Sequence, residues 1–242
     1  MVMNTEEQEL VTQYRKRFSE MLQGASSMNF KEHTKKVQRE YEDHMLKYGV
    51  DSPEAAHWIG RDKTWLRFKI LTDVDDLNNK RVLDFGCGNA LLLDFLKENK
   101  VVCEYHGWDV SKKIIGVAKT RHPEASFRAV HIFEDDLHKF QSFFDYIFIS
   151  GVFYIKKDSE SETHTSWLQG IMLKLWTLCK LGVAVNFMTE YVEWKDKDLY
   201  YCPIAKLAEF CVRNLSRWFV IRHEYPLWEF TIYIYKQPRE RL

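Results

Sequence analysis

No charge of either sign predominates in this chain: Lys and Arg together number 35, and so do Asp and Glu. The basic surplus with which nucleic-acid binders neutralise phosphates is missing, so a nucleic-acid partner is not expected. Long apolar runs are missing too. The most apolar stretch, Tyr146 to Ile155, covers ten residues, about half of what a bilayer-spanning helix needs. The first twenty residues carry too many charges for a secretory signal. Cysteine is scarce and scattered (Cys87, Cys103, Cys179, Cys202 and Cys211), without a C-x-x-C pair. That excludes a disulfide framework or zinc ribbon and fits a reduced, cytoplasmic setting. No His-Glu-x-x-His or comparable cluster occurs, so no metal is expected. What remains is an ordinary globular balance over 242 residues, with an aromatic share of 15%. That excess permits an aromatic-lined pocket.

Two regions differ in pattern. Residues 1–75 read as a helical extension. Thr5 and Gln8 resemble a capping box ahead of apolar residues at helical spacing, and Gly24-Ala25-Ser26-Ser27 is expected to break that helix. A second helix is predicted over Lys31 to Lys47, a short one from Ser52-Pro53, and a third over Asp62 to Val74. Residues 76–242 alternate short apolar strands with helices. Strands are predicted at Arg81–Phe85, Tyr105–Trp108, Ser126–Val130, Phe144–Ser150 and Val183–Met188. Helices are predicted at Ala90–Asn99, Lys112–Thr120, Trp167–Cys179 and Pro203–Asn214. Such alternation implies an α/β, Rossmann-like, mostly parallel sheet with helices on both faces. Trp218–His223 and Phe230–Tyr235 are joined so briefly that they must pair antiparallel.

Chemistry concentrates where the first strand ends, at Asp84-Phe85-Gly86-Cys87-Gly88-Asn89-Ala90. Glycines at 86 and 88 permit a tight turn and close approach of a ligand to the backbone. A diphosphate would be repelled by Asp84, and Leu91 stands where a dinucleotide pattern has its third glycine. A carboxylate there suits instead the ammonium of S-adenosylmethionine (SAM), whose own carboxylate neighbouring loop amides and the helix N-terminus could take. Asp109 ends the second strand 21 residues after Gly88, close to the spacing of an acid that grips ribose hydroxyls. Val110 would then pack on the adenine. The bland alternative is that Asp84 and Asp109 cap the helices that follow. Cys87, between the glycines, reads as structural, with its backbone doing the work.

Asp84-x-Gly86-x-Gly88 with Asp109 resembles the class I SAM-dependent methyltransferase superfamily over roughly Lys80 to Lys236, closing hairpin included. Tyr48-Gly49, Ala56-His57-Trp58, Arg67-Phe68 and Arg222 through Leu227 resemble a group of small bacterial and archaeal methyltransferases. The resemblance implies a seven-stranded sheet, SAM as cofactor and S-adenosylhomocysteine as product. It also exposes two departures. Ala90 replaces a usual third glycine, and His131 stands where the family commonly has an acid for the adenine amino group. A backbone carbonyl near His131 or Ile132, or one of Glu134, Asp135 and Asp136, could substitute.

The acceptor is expected beyond the carboxyl ends of the strands, near Ser150-Gly151-Val152-Phe153-Tyr154 and Thr189-Glu190-Tyr191. Tyr154 either orients or deprotonates an acceptor, or is pocket wall. Glu190, Tyr191, Trp194, Tyr200 and Tyr201 form either an aromatic acceptor pocket or a packed surface loop. The N-terminal helices are expected to cover the cofactor, bringing Trp58, Arg61 and Arg67; Arg67 reads as a partner for the methionine carboxylate or as a salt bridge. His57, His131 and His223 are possible bases, each with a structural reading. The sequence thus predicts in-line methyl transfer to a small-molecule acceptor. An RNA methyltransferase and a non-catalytic SAM-binding subunit are the alternatives, and oligomeric state is not addressed.

Overall fold

The computed structural model describes residues 25–49, 60–157 and 159–239. The first helix and the Ser52-Pro53 segment expected from sequence lie outside these residues, as do His57 and Trp58. Helices α1 (Ala25–Tyr48) and α2 (Arg61–Thr72) precede a single mixed sheet. Its strands are β1 (Arg81–Phe85), β2 (Glu104–Asp109), β3 (Ser126–Ala129), β4 (Phe144–Ile149), β5 (Cys179–Thr189), β6 (Tyr201–Cys202), β7 (Phe219–Arg222) and β8 (Glu229–Tyr235). Connecting helices are α3 (Leu91–Glu98), α4 (Lys112–Arg121), α5 (Ser161–Leu178) and α6 (Ile204–Asn214). The strand order is β3-β2-β1-β4-β5-β8-β7, with β6 paired to β5. Strands β1 to β5 run parallel, and β8 is antiparallel to both β5 and β7. The α/β reading and the closing hairpin therefore hold.

Alternation along each strand divides the core into two layers. Leu83, Phe85, Ile147, Ile149, Val183 and Val185 face one side, against α5 and α6. Val82, Tyr146, Phe148, Ala184 and Tyr233 face the other, with Phe68 of α2 and Leu92 of α3.

Three details depart from the sequence reading. The sheet has eight strands, because Tyr201–Cys202 adds a short parallel pairing to Met188–Thr189 at the end of β5. Two residues leave no period to read. Strand β5 begins at Cys179, directly after α5. Gly182 pairs within it with Tyr146 and Tyr235, and only glycine fits there, since a Cβ would stand 2.5 Å from the Ile234 carbonyl oxygen. Helix α1 takes in Ala25 to Phe30, ahead of the Lys31 start expected from sequence, while Gly24 and the helix it was expected to end lie outside the described residues.

A buried histidine pair fastens α1 to α5. His33 Nε2 lies 2.9 Å from His164 Nδ1, His164 Nε2 is 3.1 Å from the Phe153 carbonyl, and His33 Nδ1 is 2.9 Å from Ser159 Oγ. A carbonyl only accepts, so His164 carries its proton on Nε2 and accepts at Nδ1 from His33; His33 Nδ1 then accepts from the Ser159 hydroxyl. Both rings are neutral. Burial, then Lys36, lowers His33 to about 4; burial, then His33 itself, lowers His164 to about 3. The unfolded chain binds these protons from about pH 6.5 downwards and the folded chain does not, so stability is lost as pH falls from there towards 4. Hydrogen exchange of α1 amides, corrected for intrinsic rate, is expected to accelerate over that interval. Exchange that stays flat to pH 4.5 would contradict this.

Candidate active site

Strand β1 delivers its end to a loop of left-handed residues: Gly86 at φ 76°, Gly88 at 55° and Ala90 at 67°. At Gly86 the small residue is also required by space, since a Cβ would stand 2.2 Å from a Val152 methyl. Ala90 has no such licence; a left-handed non-glycine residue costs about 1–2 kcal/mol, and its fully buried methyl offsets part of that. The loop amides are spent internally. Gly86 N and Cys87 N both donate to the Trp108 carbonyl (2.7 and 3.0 Å), and Ala90 N donates to Cys87 O. Gly88 N donates to Asp109 Oδ2 at 3.2 Å. These four are therefore not donors to a ligand's carboxylate, contrary to the expectation from sequence. A diphosphate would find no donor among them either.

The two acids are built differently. Asp84 is buried, and the Tyr105 hydroxyl donates to its Oδ2 at 2.6 Å. Burial raises its carboxyl to about 7; the Tyr105 bond opposes this and Asp109 adds to it. Burial likewise raises Asp109, against donation from Ser111 N, 2.9 Å from Oδ1, and from Gly88 N. Ser111, not Asp109, is the N-cap of α4. Capping is thus done by another residue, and Asp109 binds the glycine loop to the end of β2. Cys87 is buried with its thiol pushed up by burial and the two acids, so it is no nucleophile.

Both acids line a cavity of about 1150 Å³, mouth included, at the carboxyl ends of the parallel strands. Gly86, Cys87, Gly88, Val110 and Ser150 also line it. Val110, Val130 and Ile132 supply an apolar flank. One side is closed by α1, whose Thr34, Val37, Gln38, Tyr41 and Met45 recur at helical spacing on the cavity side. Beside β4, Ser150 and Gly151 are held by Asn186 of β5: its Nδ2 donates to Ser150 Oγ (3.2 Å) and its Oδ1 accepts from Gly151 N (3.2 Å). The Tyr41 hydroxyl donates to the Gly151 carbonyl.

Other expected site residues do not reach this cavity. Arg67 is committed to Glu229, Nε donating to both carboxylate oxygens at 2.8 and 2.9 Å, so it reads as the salt bridge and not as a cofactor ligand. The Tyr154 hydroxyl donates to Glu229 Oε2 at 2.6 Å, and burial followed by the Glu229 charge pushes its pKa far up. That removes it as a base. His131 points away from the cavity lined by its neighbours Val130 and Ile132, and its amide donates to Asp135. Glu134 is drawn to Lys31. Glu190 sits beyond β5 outside the lining, and His223 is exposed past β7, its ring 6.2 Å from that of Tyr191. Of the expected aromatic pocket, Tyr191 and Trp194 are exposed, while Tyr200 is buried against Thr165. Among the described residues no group of His, Cys, Asp and Glu is arranged to hold a metal ion.

The family model for a methyltransferase domain matches residues 83–171, from β1 into α5. Methyltransferase Rv1506c, so designated in Mycobacterium tuberculosis, is 29% identical over 155 residues, 63% of this chain and 91% of that one. The chain carries a methyltransferase domain and is a SAM-dependent methyltransferase. The fold agrees. Magnesium protoporphyrin IX methyltransferase of Synechocystis PCC 6803, solved with bound SAM, superposes with a TM-score of 0.56 at 14% identity, over 83% of this chain and 97% of that one. A SAM-dependent methyltransferase of Mesorhizobium loti gives 0.50 at 12%, over 69% and 96%.

Three contributors to this methyltransferase's cavity escaped the sequence reading. From sequence Tyr105 reads only as a strand residue. Asn186 had a signal, one amide inside the otherwise apolar Val183–Met188. Tyr41 lies on a helix whose period was legible but whose covered surface was not.

Proposed function

We propose that SAM lies with its ammonium on Asp84, its ribose diol at Asp109, its adenine between Val110 and Ile132, and its methyl towards Ser150–Val152. The acceptor is a small molecule. The observation that carries this is the charge on the cavity walls: among the described residues the only charged side chains lining it are Asp84 and Asp109, one at the end of each of two adjacent strands. Two carboxylates suit a cation at one point and a diol at the other, and no described wall residue offers an anionic polymer a counter-charge.

When bound, SAM supplies a methyl group on a sulfonium, already activated for in-line displacement. The protein's part is then alignment and dryness. Tyr105 steadies the Asp84 carboxyl, and the glycine turn brings the backbone close. Asn186 fixes the Ser150–Gly151 corner beside the reacting methyl, and α1 acts as a cover that excludes water. With methyl-tritiated SAM and a metabolite extract, label is expected in a low-mass product. Label recovered in RNA would reassign the acceptor. SAM binding by calorimetry without transfer to any fraction would instead favour a non-catalytic SAM-binding subunit.

A further inference from the structure

A buried exocyclic amino group on adenine needs an acceptor, and the His131 carbonyl and the two acids that follow it, Glu134 and Asp135, are engaged elsewhere. Asp135 accepts from the His131 amide, Glu134 pairs with Lys31, and the His131 carbonyl already accepts from the amides of Glu134 and Asp135. We propose that Gln38 of the cover helix recognises the adenine edge, held in the necessary orientation by Glu42. This rests on the cofactor placement proposed above.

Position comes first. Helix α1 is tied at one point to the loop after β3, through Lys31 Nζ and Glu134 at 2.9 Å. Further along it is tied to the loop after β2, where Ser111 Oγ donates to Glu42 Oε1 at 2.6 Å. Gln38 lies between these ties, about 10 Å along the axis from Lys31 and about 6 Å from Glu42. It shares the cavity lining with Val110 and Ile132, the two sides of the adenine slot.

Orientation follows from chemistry. Glu42 also accepts from Gln38 Nε2 at 2.8 Å and pairs with Lys113 at 3.3 Å. Burial pushes the Glu42 carboxyl up, but donation from Ser111, Gln38 and Lys113 outweighs it and holds the group below the ordinary range. An ionised carboxylate only accepts, so the amide nitrogen of Gln38 must face it. The Gln38 carbonyl oxygen and its second N–H remain for the cavity. That pair complements adenine, whose amino group donates and whose adjacent ring nitrogen accepts. A 6-oxo base would set carbonyl against carbonyl, and Glu42 prevents the amide from turning to suit it. Gln38 is thus a binding residue and Glu42 a positioning residue.

Calorimetry with S-adenosylhomocysteine and S-inosylhomocysteine tests this on the full chain. The unaltered protein is expected to favour the adenosyl compound by about tenfold or more. Gln38→Ala and Gln38→Met should each lose about tenfold in adenosyl affinity, and with it the preference, the methionine variant preserving the helix's apolar stem. Glu42→Gln frees the amide to turn and should bind both compounds within about threefold. A preference that survives in both Gln38 variants, at unaltered melting temperature, overturns the assignment. Failure of the unaltered protein to bind S-adenosylhomocysteine would strike the cofactor placement itself, a different result.

Discussion

Replacing Asp84 by asparagine is expected to weaken SAM binding on the order of 100-fold at pH 8 while making the ligand-free protein more stable. The two effects share a cause. Asp84 is buried, and its carboxyl is raised to about 7 from an ordinary value of 3.8. A carboxyl raised on folding costs nothing below its unfolded pKa, and stability is lost as pH climbs from there to about 7. At the top of that window the ionised group costs roughly 4 kcal/mol. Asparagine keeps an oxygen for the Tyr105 hydroxyl and removes the charge, so most of that cost disappears at pH 8 and none of it at pH 4. The bound cofactor reverses the sign, because an ammonium against a buried carboxylate is a contact whose loss costs about 2–5 kcal/mol. SAM affinity of the unaltered protein should therefore fall about tenfold per pH unit below 7, with proton release on binding, and the variant should be flat. Equal affinity in Asp84→Asn, or a pH-independent Kd, would refute the electrostatic reading of the motif.

Arg67→Met is expected to lower stability by about 3–5 kcal/mol in urea unfolding, leaving SAM affinity within a few fold. The guanidinium holds both Glu229 oxygens, the Tyr154 hydroxyl adds a third bond to that carboxylate, and all three residues are buried. Removing the cation strands the buried Glu229 carboxylate without its counter-charge. Arg67→Met with Glu229→Gln should recover much of the loss, since the uncompensated charge is then gone. The opposite pattern, a 100-fold loss of SAM affinity with little change in stability, would restore Arg67 as a ligand of the methionine carboxylate. The triad joins α2, β8 and the segment after β4, so its rupture is read as lost stability and not as lost cofactor contact.

Much of the candidate site was legible because its chemistry lies within one βαβ unit. Asp84, Gly86, Gly88 and Asp109 are fixed relative to one another by a strand end, a turn and the neighbouring strand, so spacing along the chain maps onto position in space. The apolar periods of β1, β4 and β5 were legible for the same reason, as was the antiparallel hairpin, whose short connection allows no other pairing. Arg67 shows the limit. It stands 162 residues from Glu229, and an arginine near a glycine motif carries no mark telling whether its partner is a ligand or another strand. His131 misled in a similar way, because the backbone after β3 turns its ring away while Val130 and Ile132 face inward.

By itself the sequence determined the sheet's direction and the motif that suits a sulfonium amino acid, since local stereochemistry and hydrophobic period act over a few residues. Only the tertiary structure decided which donors remained for a ligand. The loop amides were consumed by Trp108 and Asp109, Arg67 by Glu229, and the acids after β3 by their own turn and by Lys31. Hydrogen-bonding capacity is finite, and its allocation between distant segments is settled when the chain packs.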